Sequence, residues 1–175
     1  MLGNLDRYKS CHLQRQIYLH ISYSHPMPQY ILSLSTKITY SSAPRITIPP
    51  FINLEVPWAF FDGVYQSSPS IGGAGGILHI SQIHSFSLST GLGEATNNFN
   101  ELMALYLLLL LSLEKNINHL NIYGDSLFVI QVMKGTYLLH SYTLAPLLEE
   151  IKRLTAGFTH ISFSHVYMNH NQQAD

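Results

Sequence analysis

The chain has 175 residues, of which 46% are hydrophobic and 11% charged, with nine Lys and Arg against ten Asp and Glu. That length suits one domain, or a domain with an appendage, and so sparse and balanced a charge excludes both a charged disordered chain and a strongly basic nucleic-acid coat. The lone cysteine, Cys11, excludes an intramolecular disulfide and fits a nuclear or cytoplasmic setting better than a secreted one.

Residues 1–56 carry a net charge of +3 and residues 57–175 a net −4. The first part is rich in Tyr, Ser, His and Pro and shows little sustained period. Arg7, Lys9 and Arg15 precede an apolar stretch at 17–22, but His20, Ser22 and Ser24 interrupt the continuous core that a signal peptide needs. Residues 30–34 have the composition of a short strand. Pro44, Pro49, Pro50 and Pro57 read as an extended linker. The expectation is a poorly ordered N-terminal extension and linker over 1–56, then a folded domain over 57–175.

Residues 58–61 predict a buried strand that ends at the turn signal Asp62-Gly63. Residues 72–80, glycine-rich and then apolar, predict a second strand, and 85–89 a third. The Gly72–Gly76 run lacks the Lys-Ser/Thr and the strand-to-helix context of a phosphate loop, so it reads as a strand whose small residues permit close packing. A long helix follows over 98–115, with Asn98 and Glu101 at capping-box spacing. Its apolar run, 102–111, is too short to span a membrane and reads as a helix buried on both sides. A fourth strand covers 120–123. Gly124-Asp125-Ser126 opens a short helix to Met133, which Gly135 stops. An amphipathic helix over 143–156, with Pro146 in its first turn, ends at Gly157. A fifth strand covers 160–166. Three strands, a helix, a strand, helices and a strand imply an α/β fold. Its mixed five-stranded sheet joins three antiparallel strands to two parallel ones, flanked by helices.

Four carboxylates fall at the ends of these elements: Asp62, Glu101, Asp125 and Asp175. Each has an ordinary explanation. Asp62 suits a turn, Glu101 a capping box, Asp125 or Ser126 an N-cap, and Asp175 a solvated chain end. Their alternative is a shared site. Burying like charges together is costly unless a cation neutralises them, and an oxygen-only donor set favours Mg²⁺ or Mn²⁺ over Zn²⁺. Two such ions about 3.5–4 Å apart support in-line attack of water on a phosphodiester.

The segments WAFFDG, GGAGGIL, GLGEATNNFNELMAL, IYGDSLFVIQVMKG, LAPLLEEI and ISFSHVYMNHNQQAD occur in the order found in the ribonuclease H superfamily. Over residues 57–175 the chain most resembles the ribonuclease H-like domain of plant non-LTR retrotransposon polyproteins and their host-encoded relatives. The resemblance implies hydrolysis of the RNA strand of RNA–DNA hybrids with two Mg²⁺ ions, for which Mn²⁺ can substitute. It carries the metal-ligand and catalytic roles to Asp62, Glu101, Asp125 and Asp175. Thr96, Asn97 and Asn98 match the stretch that contacts the hybrid, where amides can pair with the 2′-hydroxyl, and Asn171 joins them as a substrate contact. His170 is either a proton shuttle or an exposed loop histidine. His165, on a strand face, reads as structural.

The chain departs from the family pattern in places. Met168 and Asn169 stand where Arg-Glu is common, Asn100 where Ala is usual, and Val64 and Tyr65 where small residues follow the first Asp. The family continues past its last Asp into a helix, so a C-terminal helix is expected to be missing after Asp175. Alternatives to the nuclease are therefore a catalytically inactive relative or truncated retrotransposon-derived fragment that binds nucleic acid, and a protein-interaction module using the bared apolar surface.

Overall fold

The computed structural model describes residues 49–174. The strand expected over 30–34, most of the expected extension, and Asp175 lie outside the described residues. Nine elements follow in order: β1 (Trp58–Ser67), β2 (Ser70–Ser81), β3 (His84–Gly93), α1 (Asn97–Glu114), β4 (His119–Gly124), α2 (Leu127–Met133), α3 (Ala145–Thr155), β5 (His160–His165) and a 3₁₀ turn (Met168–His170). The sheet is five-stranded and mixed, as the sequence implied, with strand order β3-β2-β1-β4-β5. β1, β2 and β3 pair antiparallel, and β4 lies parallel to both β1 and β5.

Side-chain alternation gives the sheet two different faces. Ala59, Phe61, Leu78, Leu88, Leu120 and Ile122 point to the helical side, where α1 lies across β1 and β2 and α3 packs on α1. α1 is buried without a break from Asn100 to Leu109, because the sheet covers one flank and α2 and α3 cover the other. The opposite face carries a smaller cluster of Trp58, Phe60, Tyr123, Val166 and Ala174, against which Ile52 and Ile77 pack. Residues 49–56, expected as linker, thus contribute Ile52 to this second face, and the Tyr123 hydroxyl reaches the Phe51 carbonyl at 3.5 Å. Among the described residues no helix is long and apolar enough to cross a membrane.

Two local expectations are corrected. Asp62-Gly63 is not a turn. β1 runs on to Ser67, with Asp62 opposite Gly75 and Gly63 opposite Ala74, because the glycine-rich β2 offers an unbroken pairing partner. Asn98 and Glu101 form no capping box. The helix begins earlier, with Thr96 as N-cap accepting from the Phe99 amide at 3.3 Å, so Glu101 falls beyond the first turn. The stop at Gly135 holds. Its φ of +71° closes a Schellman motif, with Gly135 N–H bonding Val132 O at 3.1 Å and Thr136 N–H bonding Gln131 O at 3.0 Å.

Candidate metal centre

The parallel pairing of β1 with β4 sets Phe61 beside Gly124. The next residues, Asp62 and Asp125, therefore emerge side by side where the carboxyl end of β4 meets the middle of β1. Open α/β sheets commonly bind ligands at such a place. Gly124 is required there because a Cβ on it would run into the Phe61 ring.

The third carboxylate comes from the helical side. A Cβ on Gly63 would overlap the backbone of Asn100 and Glu101, so the bare glycine lets the start of α1 settle onto β1. The Gly63 amide then donates to Glu101 Oε2 at 3.2 Å. One bond below, Asn100 Nδ2 donates to Val64 O at 2.8 Å, in space left by Gly72. Asn100, a departure from the family pattern, is fully buried and ties α1 to β1.

Asp62, Glu101 and Asp125 each offer an oxygen within 4.8 Å of the others. Asp62 is 9% exposed and Glu101 6%. Burial, then the charges of Asp62 and Asp125, push the Glu101 carboxyl up to about 8, partly opposed by the Gly63 hydrogen bond. Three anions held this close are unfavourable alone. A divalent cation relieves both desolvation and repulsion, and an all-carboxylate donor set suits a hard, oxygen-seeking ion. The residues present fit such an ion.

The outer rim is held by hydrogen bonds. Asn171, 1% exposed, donates from Nδ2 to Phe61 O at 3.0 Å and to Asp125 Oδ1 at 3.2 Å, so it bridges the backbone of β1 and a cluster carboxylate. His165, the last residue of β5, donates from Nε2 to the Asp125 carbonyl at 3.1 Å, the structural place expected of it. His170 is half-buried in the 3₁₀ turn and borders a cavity of about 290 Å³ with Pro49, Pro50, Phe60 and Gln173. Thr96, Asn97 and Asn98 are exposed at the start of α1. The structure thus joins three of the four expected ligands directly and brings Asn171 to them. Sequence reasoning missed Gly63 and Gly124 as parts of the site. FDG and GDS contain the two glycines, and the missing signals were the packing of α1 on β1 that sets Gly63 against Glu101 and the parallel register that sets Gly124 beside Phe61.

A five-stranded mixed sheet with an acidic cluster at the β1–β4 junction defines a ribonuclease H-like protein. Residues 60–175 match the family model described as reverse transcriptase-like, and the chain belongs to that family, within the ribonuclease H superfamily. Among solved structures, it is similar to RNase H1 of the halophilic archaeon Halobacterium salinarum NRC-1. That match has 26% identity and a TM-score of 0.64, and covers 68% of this chain and 91% of the other. It is similar in fold to the N-terminal ribonuclease H domain of a Mycobacterium tuberculosis protein, with 22% identity, TM-score 0.65, and 68% and 87% coverage. The same holds for LC11-RNase H1, from compost, solved in complex with an RNA/DNA hybrid, with 22% identity, TM-score 0.62, and 68% and 91% coverage. No curated protein matches the chain significantly.

Proposed function

We propose that residues 57–175 form a metal-dependent endonuclease domain that hydrolyses the RNA strand of RNA–DNA hybrids, of the retrotransposon type its sequence resembles. The observation that carries this is the trio of carboxylate oxygens within 4.8 Å at the β1–β4 junction. The family match over 60–175 and the hybrid bound by LC11-RNase H1, a protein of the same fold, support the substrate class.

In this reading Asp62, Glu101 and Asp125 hold Mg²⁺, or Mn²⁺ in its place, with Asp175 as the fourth carboxylate. The bound ions supply charge neutralisation and an acidified water for attack on phosphorus. Asn171 and Gly63 fix the orientation of Asp125 and Glu101. Thr96, Asn97 and Asn98, exposed at the start of α1, offer a hydroxyl and two amides to the hybrid, whose 2′-hydroxyls distinguish RNA from DNA. His170 is assigned the transfer of a proton to the leaving 3′ oxygen. Cleavage of a labelled hybrid with Mg²⁺ and then Mn²⁺, beside Asp125→Asn, tests the proposal. Metal-dependent cleavage lost in the variant is expected. A folded wild-type chain that binds the hybrid but never cuts it would favour the inactive relative.

A further inference from the structure

The outer face of the β1–β2 hairpin forms a ladder of cross-strand pairs: Trp58 opposite His79, Phe60 opposite Ile77, and Asp62 opposite Gly75. Directly opposed residues of an antiparallel pair project to the same side, so all six positions face one way. The chain after β5 returns across this ladder. Ala174 is buried in the Trp58–Phe60–Tyr123–Val166 cluster. Its amide donates to Asn171 O at 2.9 Å, which closes a turn over 171–174.

That turn is fastened to β2 at two points. Gln173 Oε1 lies 2.9 Å from His79 Nε2, and the His79 ring is itself stacked on Trp58, with centroids 4.8 Å apart and planes 12° from parallel. The carbonyl of Ala174 sits where a side chain on Gly75 would be, and the Ala174 carbonyl is the first group a Cβ there would meet. The room beside Asp62 is therefore taken by backbone of the turn. A strand gains nothing from glycine at such a position, which weakens it by entropy and lost packing. The glycine makes sense as a seat for the turn.

We propose that Gly75, His79 and Gln173 form a latch that positions the 171–174 turn on the metal centre. The latch keeps Asn171 against Asp125 and the backbone of Ala174 beside Asp62, at the point from which residue 175 follows. This rests on the metal-site reading above. The three are positioning residues, since their described contacts are with the turn and the sheet and none is among the cluster carboxylates.

Two variants of the full chain test it. Gly75→Ala adds one methyl group, aimed at the Ala174 carbonyl, on a residue outside the left-handed region. His79→Phe keeps an aromatic ring on Trp58 and removes the bond to Gln173. Hydrogen exchange at the Asn171 and Ala174 amides reads the turn without any metal. Losing the His79–Gln173 bond should speed their exchange about three- to tenfold in His79→Phe, and displacing the Ala174 carbonyl should speed it in Gly75→Ala, while the α1 amides stay protected. Mn²⁺ titration should then show affinity lower by about tenfold, the size typical of lost support behind a metal ligand. His79→Gln, which can still hydrogen-bond Gln173, should recover part of it. Unchanged exchange in Gly75→Ala and His79→Phe would overturn the latch and leave the metal centre standing. Faster exchange with unchanged Mn²⁺ affinity would overturn its positioning role. A wild-type chain that binds no Mn²⁺ would remove the metal reading, and the latch's role with it.

Discussion

Glu101→Gln should make the metal-free protein more stable while removing its metal site. Glu101 is 6% exposed, and its carboxyl titrates near 8 instead of the ordinary 4.5. A carboxyl whose folded value is raised is neutral in both states at low pH. As pH climbs above 4.5 the unfolded chain ionises and the folded chain does not, so stability falls until the folded group also titrates near pH 8. At about 1.4 kcal/mol per unit, the penalty at pH 7 is roughly 3 kcal/mol. Glutamine has nearly the same shape, stays neutral, keeps an oxygen for the Gly63 amide, and can donate toward Asp62 or Asp125. Thermal melts of metal-free wild type and variant from pH 4 to 8 should coincide near pH 4 and diverge above it. At pH 7 the variant should melt roughly 6–12 °C higher, since 1 kcal/mol moves Tm by about 2–4 °C at this size. A variant less stable than wild type at pH 7, or a gain that does not change with pH, would refute the argument from burial and like charge.

A divalent cation should reverse that pH trend. Mg²⁺ or Mn²⁺ should raise the melting temperature more at pH 8 than at pH 5, and proton release should accompany binding in calorimetry in two different buffers. Gly63→Ala should cost roughly 1–3 kcal/mol through overpacking against the Asn100–Glu101 backbone and abolish cation binding, both readable by denaturant melts with and without Mn²⁺. Asn171→Ala leaves the buried Phe61 carbonyl without its 3.0 Å donor, at a cost of about 1–3 kcal/mol. It should weaken Mn²⁺ binding by about ten- to a hundredfold.

Much of this architecture was legible in the sequence because the signals were local. The apolar run of α1, the Gly135 stop and the amphipathic α3 each follow from a few neighbouring residues, and the element order then leaves few topologies open. What sequence reasoning missed was set by partners distant in sequence. Asp62-Gly63 has the composition of a turn, and only ten consecutive pairings with β2 override it. Glu101 has capping-box spacing from Asn98, yet its hydrogen bond goes to Gly63, 38 residues away. Thr96 and Asn98 are both competent N-caps by type, so the sequence alone does not decide between them. Asn171 looked like a substrate contact by motif. Its near-complete burial and its bond to Asp125 depend on where β5 delivers the chain, which no local pattern records.

The site's geometry depends on what three glycines leave out. Gly124 lets the Phe61 ring lie against β4, which brings Asp62 and Asp125 level. Gly63 lets α1 descend until Glu101 reaches the same point. Gly75 leaves room beside Asp62 for the backbone of Ala174. Each lowers the strand propensity of its own segment, which is why the Asp-Gly in β1 looks like a strand end in isolation. The loss is offset by the neighbours. β1 is a central strand paired on both sides, and its helical face is buried under α1. An edge strand with the same glycines would lack that support. The three carboxyl groups therefore converge on a strand secured at both edges and on its helical face, where they can be held close before any cation arrives.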